Sequence, residues 1–263
     1  MATTRRPLIA GNWKMNLNHL QSIAFVQKLS WALKDKKFDD KEVEVGVFPP
    51  FTDLRSVQTL INADDLPLTL GAQDLSVHDE GAHTGDISGA FLASLDCTYV
   101  LVGHSERRAH HHEDDDICAG KVQAALRNEL TPILCVGETT EDLEKFGASK
   151  VPVDQLSAVL SAIPRGSEIV VAYEPVWAIG SGQSATPDQA EDVCRALRET
   201  IRSLHGDDAA VSTRILYGGS VKSTNIAGFM KRENIDGALV GGASLDVDEF
   251  VAIARFPQHV SVE

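Results

Sequence analysis

The sequence predicts an α/β protein that folds as one (β/α)8 barrel over residues 1–263. Three observations predict this fold: eight short apolar runs recur along the chain, segments with helical periodicity lie between them, and no Pro/Ser-rich linker divides the chain. Repeated alternation of strand and helix patterns is typical of a parallel sheet with right-handed crossover helices. Eight such units fit a closed barrel better than an open doubly wound sheet, which usually has fewer strands. We therefore expect a single domain.

The eight predicted strands are continuous apolar runs with little alternation between apolar and polar residues. This pattern is typical of strands that are covered on both faces in a parallel sheet. Successive runs begin roughly 25–45 residues apart, which is about the length of a βαβ repeat. The runs are residues 8–10, 43–48, 68–71, 99–102, 132–136, 169–173, 214–217 and 238–240.

Helical periodicity is clearest in four of the segments between these runs. In each of them apolar residues recur at the spacing that places them on one face of a helix. The last segment begins with Thr186 and Pro187, which are favoured residues at the start of a helix. The predicted helices are residues 21–34, 52–61, 119–128 and 187–204.

Composition excludes several classes of function. The chain has 24 Lys and Arg against 38 Asp and Glu, a formal net charge of −14, which disfavours nonspecific binding to nucleic acid or to anionic membranes. No window approaches the ~18 apolar residues of a membrane span, and the N-terminus has no signal-peptide pattern. The four cysteines are scattered without a C-x-x-C pair, as expected of reduced thiols. We therefore expect a cytoplasmic protein that binds neither nucleic acid nor membrane.

Polar residues cluster at the ends of the predicted strands, where barrel enzymes carry their chemistry. Because the carboxyl ends of all the strands open at one mouth, we expect these residues to converge there. They are Asn12, Trp13 and Lys14 after the first run, His104, Ser105 and Glu106 after the fourth, Glu138 after the fifth, Glu174 after the sixth, Gly218, Gly219 and Ser220 after the seventh, and Gly241 and Gly242 after the eighth.

Three of these side chains suit proton transfer. Glu174 ends an apolar strand, and a half-buried carboxylate there would be a general base with a raised pKa, or else a buried ion pair or rim charge. His104 precedes Ser105 and Glu106, and the amino end of a helix beginning there would favour a neutral imidazole that donates to a carbonyl; the alternative is a structural histidine. Lys14 suits an anionic ligand or a developing oxyanion, or is a surface lysine, and Glu106 is its candidate ion-pair partner.

The glycine-rich strand ends predict a phosphate site. Phosphate in barrels often binds at the loops after strands 7 and 8, where glycines let backbone N–H groups approach it. Each Gly-Gly pair alone indicates only a turn, but the two together favour phosphate.

Two further segments are less specific. Residues 175–185 have an apolar middle between small residues, which suits either a mobile lid that excludes water or a fixed loop on the barrel rim. His110, His111 and His112 fit no catalytic zinc motif, so we expect a solvated loop and no metal.

These segments closely resemble the triosephosphate isomerase family, whose fold is the TIM barrel. The matching strings are residues 11–16 (GNWKMN), 99–108 (YVLVGHSERR), 172–182 (AYEPVWAIGSG), 216–221 (LYGGSV) and 236–244 (DGALVGGAS). They span the chain in the family's order. The resemblance therefore implies a barrel fold, a general base paired with an electrophile, and a lid that closes over the site.

The resemblance implies interconversion of dihydroxyacetone phosphate and D-glyceraldehyde 3-phosphate through an enediolate, in glycolysis and gluconeogenesis. Glu174 matches the base, His104 the neutral electrophile, and Asn12 and Lys14 the substrate contacts that stabilise the oxyanion. No cofactor is implied, since both triose phosphates have the same redox level. Other positions that match substrate contacts are Trp13, Gly180, Ser220, Gly241 and Gly242, with Ser105 and Glu106 in support.

The resemblance also implies a homodimer in which the third βα loop, residues 73–86, enters the neighbouring subunit. Thr84 is the residue expected near the partner's Lys14. The chain departs from the common family pattern in the lid and around the subunit interface. The departures are Ser181, Gln183 and Ser184 in the lid, His83 in the third loop, and His110, His111 and His112.

Two other functions remain open from the residues alone. Another phosphate-binding barrel, such as a lyase or synthase of sugar-phosphate or indole metabolism, would share the glycine-rich loops but need not pair His104 with Glu174. An inactive binding module would be expected to have lost Lys14, His104 or Glu174, and this chain retains all three.

Overall fold

A computed structural model describes residues 5–179 and 184–258 of the chain. Eight parallel strands close into a barrel in sequence order, so the predicted (β/α)8 fold is confirmed. The first strand pairs with both the second and the last, with Leu8 opposite Glu44 on one side and Gly237 on the other. The strands are β1 (Leu8–Asn12), β2 (Glu44–Phe48), β3 (Thr69–Ala72), β4 (Tyr99–Val102), β5 (Thr131–Val136), β6 (Val170–Tyr173), β7 (Ile215–Tyr217) and β8 (Gly237–Val240).

Helices follow the strands and pack around the barrel. The α-helices of the described residues are α1 (His19–Asp35), α2 (Leu54–Asp64), α3 (Gly89–Ser94), α4 (Ser105–His111), α5 (Asp115–Arg127), α6 (Thr140–Phe146), α7 (Lys150–Ala162), α8 (Pro187–His205), α9 (Asp207–Ser212), α10 (Ile226–Met230) and α11 (Val247–Ala254). Short 3₁₀ turns lie at Phe51–Asp53, Val176–Ala178, Gly242–Leu245 and Phe256–Gln258.

Side-chain caps explain where the main helices begin. Asn18 and Thr186 each form a capping box, in which the side chain of the third helical residue bonds back to the cap. Asp114 accepts from the N–H of Ile117, so α5 begins earlier than predicted. The predicted helix at 52–61 begins instead as a 3₁₀ turn and becomes α-helical at Leu54.

The core has two layers, and the strands contribute to both. Alternate residues such as Leu8 and Ala10 fill the inside of the barrel, while Ile9 faces the layer between strands and helices. Both faces of the sheet are therefore apolar, which explains why the strands lack alternation in the sequence. Gly71 has a specific role here, because a Cβ at that position would lie 2.2 Å from Cε1 of Phe48.

The amino end of the barrel is closed by a polar network. Arg214 contacts Glu44 at 2.7 Å and donates to the hydroxyl of Tyr99 at 2.6 Å, and that hydroxyl donates to Glu44 at 2.9 Å. Burial raises the pKa of the Glu44 carboxyl, but Arg214, Tyr99 and Thr69 outweigh it, so the net pKa lies below its usual value. The charged groups at this end are therefore satisfied by one another.

Two further sequence expectations concern the cysteines and membrane insertion. All four cysteines are buried free thiols, and burial raises the pKa of Cys97 to about 12 and of Cys118 to about 11. Within residues 5–179 and 184–258, no helix combines the length and the apolar character that a bilayer crossing requires.

Candidate active site

A cavity of about 530 Å³ opens at the carboxyl ends of the strands. It brings together residues from the ends of β1, β4, β6, β7 and β8, as the strand-end argument predicts. Within the described residues its lining is Asn12, Lys14, His104, Glu106, Glu174, Ile179, Gly218, Gly219, Ser220, Val221, Lys222, Leu239, Gly241, Gly242 and Ala243.

Glu174 lies directly after β6 and is only 2% exposed. One carboxylate oxygen is 3.0 Å from Nε2 of His104, and the other accepts the backbone N–H of Ser105 at 2.9 Å. Burial raises the pKa of Glu174. The charge and hydrogen bond of His104 and the hydrogen bond of Ser105 lower it by more, so the net pKa is below the usual value. The expectation of a half-buried carboxylate with a raised pKa is therefore wrong for this arrangement, because two donors hold the ionised form.

His104 is the N-cap of α4, the helix predicted to begin at Ser105. Its Nδ1 accepts the N–H of Glu106 at 3.2 Å, which leaves the ring proton on Nε2, facing Glu174. Burial lowers the pKa of His104, yet the adjacent Glu174 carboxylate raises it more, so the net pKa is above its usual value. The hydrogen bond that Nδ1 accepts is one that the neutral imidazole makes, while contact with Glu174 raises the affinity of the ring for a second proton.

Lys14 is held in a left-handed backbone conformation, with φ of 53°. Its N–H donates to Oδ1 of Asn12 at 3.0 Å, and its carbonyl accepts from Nε2 of Gln73 at 2.8 Å. The ammonium forms an ion pair with Glu106 at 2.6 Å, the partner proposed for it from the sequence. These contacts fix the lysine at the mouth of the cavity.

Gln73 is a site residue that the sequence reasoning missed. It follows β3 and bridges two loops, because its amide also donates to the carbonyl of Phe48 at 2.8 Å. The available signal was its position, since it is the polar residue directly after the third apolar run, as Lys14, His104 and Glu174 are near theirs.

The two glycine-rich loops form one wall of the cavity. Gly219 cannot carry a side chain in this conformation, because a Cβ there would lie 2.2 Å from Oη of Tyr217. Gly242 begins a 3₁₀ turn, and Ser244 stabilises that turn by donating to the carbonyl of Gly241 at 2.7 Å. The first N–H groups of such a turn lack carbonyl partners within it and are suited to bind an anion.

Trp13 is not where the resemblance placed it. Its side chain has no exposed surface and packs edge-to-face on Phe25, with ring centroids 5.2 Å apart. It does not line the cavity, because the strand end turns the indole toward the helical layer. Trp13 therefore supports the site through packing rather than through contact with a ligand.

The beginning of the predicted lid is anchored below the cavity. Nε1 of Trp177 donates to Glu138 at 2.7 Å, and the hydroxyl of Tyr173 donates to the same oxygen at 2.9 Å. Burial raises the pKa of Glu138, and hydrogen bonding lowers it by less. Glu138 thus fastens the loop and does not line the cavity.

Part of the lid lies outside the described residues, namely Gly180, Ser181 and Gln183. Ser184 is described, and its hydroxyl donates to the carbonyl of Ala185 at 3.1 Å.

The predicted dimer loop is exposed in the single chain. Thr84 and its neighbours lie at the surface, and the rings of His78 and His83 stack with centroids 3.7 Å apart. Met15, next to Lys14, is 95% exposed. His110 and His111 form the exposed end of α4, and His112 follows in a left-handed conformation.

Comparisons with known proteins agree with this geometry. The sequence pattern of the family described as "Triosephosphate isomerase" matches residues 7–256. The chain is 65% identical to a triosephosphate isomerase of Leifsonia xyli subsp. xyli, over 97% of this chain and 99% of that protein. It is 56% identical to that of Streptomyces avermitilis, over 97% and 98%, and 54% identical to that of Mycobacterium avium, over 95% and 96%. With nearly the whole chain matched, it belongs to the triosephosphate isomerase family.

Proposed function

We propose that the protein interconverts dihydroxyacetone phosphate and D-glyceraldehyde 3-phosphate by proton transfer, as a step of glycolysis and gluconeogenesis. The observation that carries this proposal is the pairing of Glu174 with His104 at 3.0 Å, in a cavity that two glycine-rich loops also line. A carboxylate, an imidazole donor and an anion site in one cavity suit enolisation of a phosphorylated carbonyl compound.

The glycine-rich wall would bind the substrate's phosphate. Ser220, Gly241 and Gly242 supply backbone N–H groups there, and Gly180, outside the described residues, is expected to join them. With the phosphate bound there, the carbonyl and hydroxyl carbons would lie within reach of Glu174 and His104. Asn12 and Lys14 line the same cavity, where a cation and an amide would stabilise the enediolate oxygen.

Glu174 would then move one proton between the two carbons. It must first leave Nε2 of His104 and the N–H of Ser105, because those two donors lower its pKa and weaken it as a base. The proton passes from one carbon to Glu174 and an enediolate forms. Glu174 then delivers that proton, or one gained by exchange with solvent, to the neighbouring carbon, and the hydroxyl proton moves from one substrate oxygen to the other. The same redox level is kept throughout.

His104 would act on the oxygens during this step. Once the carboxylate has moved to the substrate, the cause that raises the pKa of His104 is removed, and burial favours the neutral ring. Its Nε2–H then donates to the carbonyl oxygen that becomes negative, because Nδ1 is occupied by the N–H of Glu106.

We also propose a cytoplasmic homodimer. Residues 78–86 of the third loop are exposed, as is Met15. Both support pairing of two copies in which Thr84 lies near the partner's Lys14, because each would bury surface left open in one chain. Four buried free thiols suit a reducing compartment.

A coupled assay of isomerisation in metal-free buffer tests the activity. We expect turnover with both triose phosphates and no added cofactor, and absence of turnover in folded protein would refute the proposal. In His104→Gln we expect slower turnover while a phosphate analogue still binds. Loss of analogue binding would assign His104 a structural role instead.

A further inference from the structure

Lys222 is a cavity-lining residue to which the isomerase proposal assigns no role. It lies two residues after Ser220, on the wall formed by the loop that follows β7. Its side chain is exposed, and its ammonium makes no ion pair or hydrogen bond with any other described residue. A cation therefore stands free at the rim of the anion wall.

The other charges of the described lining are already paired. Lys14 forms an ion pair with Glu106 at 2.6 Å, and His104 contacts Glu174 at 3.0 Å. Each pair brings one cationic or protonatable group together with one carboxylate. Within the described part of the lining, Lys222 is thus the one charged side chain without a counter-charge.

The loop holds Lys222 in place by hydrogen bonds on both sides. Its N–H donates to Oδ1 of Asn225 at 2.8 Å, and Nδ2 of Asn225 donates to the carbonyl of Ser220 at 3.0 Å. Ser223 is tied to Glu249 through its N–H at 2.7 Å and its hydroxyl at 2.9 Å. These hydrogen bonds position the backbone of Lys222 at the cavity that its side chain lines.

The net negative charge of the whole chain is a reason for a cation at this position. A net charge of −14 repels a phosphate dianion at long range, so a local cation at the entrance is needed to favour its approach. At about 0.1 M ionic strength charges interact over roughly 10 Å, so a cation acts mainly on anions that come close to it.

We propose that Lys222 recruits the substrate's phosphate and sets the preference for phosphorylated over uncharged trioses. This inference rests on the proposed isomerase function and extends it to a residue outside the proton-transfer machinery. Lys222 acts on capture of the anion, so its contribution belongs to substrate binding and not to the chemical step.

The test compares Lys222→Gln with Lys231→Gln, a matched control on an exposed lysine that does not line the cavity. Each variant changes the net charge from −14 to −15 (−14 − 1), so any effect of total charge is the same in both. At low salt we expect Lys222→Gln to lower kcat/KM for D-glyceraldehyde 3-phosphate about three- to tenfold, mainly through KM. The inhibition constant of inorganic phosphate should rise by a similar factor.

Three further readouts separate recruitment from a structural role. The loss should shrink as salt is raised toward about 0.5 M, because screening removes the attraction. Lys222→Arg should restore most of kcat/KM. Exchange of the carbon-bound proton of D-glyceraldehyde, which has no phosphate, should be the same in wild type and Lys222→Gln.

Two outcomes would overturn the inference. One is a Lys222→Gln variant with the kinetics and phosphate inhibition of Lys231→Gln. The other is a loss that persists at high salt and affects the uncharged triose equally, which would mean that the loop is disturbed. An inactive wild-type enzyme would instead refute the isomerase proposal itself.

Discussion

Glu174 is held in the single chain by two donors that also stand at the place where the substrate must bind. Its carboxylate contacts Nε2 of His104 and the N–H of Ser105, and Cγ lies 2.9 Å from where a Cβ of Gly218 would be. The reach of the side chain is therefore set on several sides. Catalysis by this group depends on arm length as much as on acidity.

Glu174→Asp tests that dependence. The shorter side chain withdraws the carboxylate from the reacting carbon, and loss of a positioned general base typically lowers turnover by ~10²–10⁴-fold. Steady-state kcat and circular dichroism would be measured together. Glu141→Asp, an exposed residue of α6, is the control expected to keep full turnover. Near-normal kcat in pure Glu174→Asp would contradict the assignment.

Gly219→Ala tests the anion wall. The added Cβ would meet Oη of Tyr217 at 2.2 Å and Cζ at 2.5 Å, so the loop or the ring must shift. We expect a loss of about 1–3 kcal/mol in unfolding free energy, as for other overpacked sites, with weaker phosphate binding. Urea unfolding and phosphate titration measure the two effects. Gly242→Ala has open space around its Cβ and should retain its stability; equal stability of both variants would contradict the clash.

At this scale the sequence predicted which side chains meet, but not their environment. Asn12, Lys14, His104 and Glu174 converge because strand ends of a parallel barrel must. The lowered pKa of Glu174 depends on donors that are 69 or more residues away in sequence, which no local pattern contains. The burial of Trp13 was equally hidden, since it depends on the direction in which the chain leaves β1.

Among the elements, strands were predicted more closely than helix ends. A buried strand is bounded by the change from apolar to polar residues, so the run 99–102 coincides with β4. A helix begins where a side chain satisfies its free N–H groups, as Asp114 does for α5, which begins at Asp115, four residues before the predicted start. Apolar periodicity alone therefore places the helix but not its first turn.

The exposed residues 78–86 of the third loop and the exposed Met15 lead to a prediction about assembly. We expect a dimer by sedimentation velocity, and we expect Met15→Asp to yield monomers with reduced turnover, since Lys14 would then lack the partner subunit's loop. Leu20 is also an exposed apolar residue, and it lies on α1. We expect Leu20→Asp to leave the dimer intact. A wild-type monomer with full activity and stability at low concentration would contradict the dimer proposal.

At the scale of the whole molecule, the two ends of the barrel carry different polar groups. Glu44, Arg214 and Tyr99 close the amino end, while ligand chemistry lies at the carboxyl end. The folded-state pKa of Glu44 is below its usual value. The ionised carboxyl therefore stabilises the fold at pH values above the pKa of Glu44 in the unfolded chain, about 4.3. That stability is lost as pH falls through the lower folded-state pKa.

Glu44→Gln measures this contribution. At pH 7 we expect a loss of about 1.5–3 kcal/mol in unfolding free energy, because the half-buried Arg214 loses the carboxylate that pairs with it at 2.7 Å. Below about pH 4 the difference between wild type and variant should narrow, since protonated Glu44 no longer pairs. Urea unfolding at a series of pH values gives both results. Glu199→Gln, at an exposed position, should have little effect on the unfolding free energy. A difference between wild type and Glu44→Gln that grows as the pH falls would contradict the stabilising role of the ionised Glu44.

The barrel itself could be predicted from the sequence because the repeat of apolar runs extends along the whole chain. Eight apolar runs, covered on both faces, admit few arrangements of this length other than a closed parallel sheet. The excess of acidic residues could also be read from the sequence, but the pairing of charges at the cavity could not. Only the structure shows that Lys14 is paired with Glu106 while Lys222 has no counter-charge within the described lining.

Proton transfer by Glu174 is the central claim, and isomerisation in D₂O tests it most directly. Proton NMR would follow conversion of D-glyceraldehyde 3-phosphate to dihydroxyacetone phosphate by the wild-type enzyme and by Glu174→Gln. We expect deuterium at the carbon that receives the proton in the wild-type product, because the protonated base exchanges with solvent, and very slow conversion in the variant. Full conversion without any solvent deuterium, or at equal rates in both proteins, would contradict the mechanism.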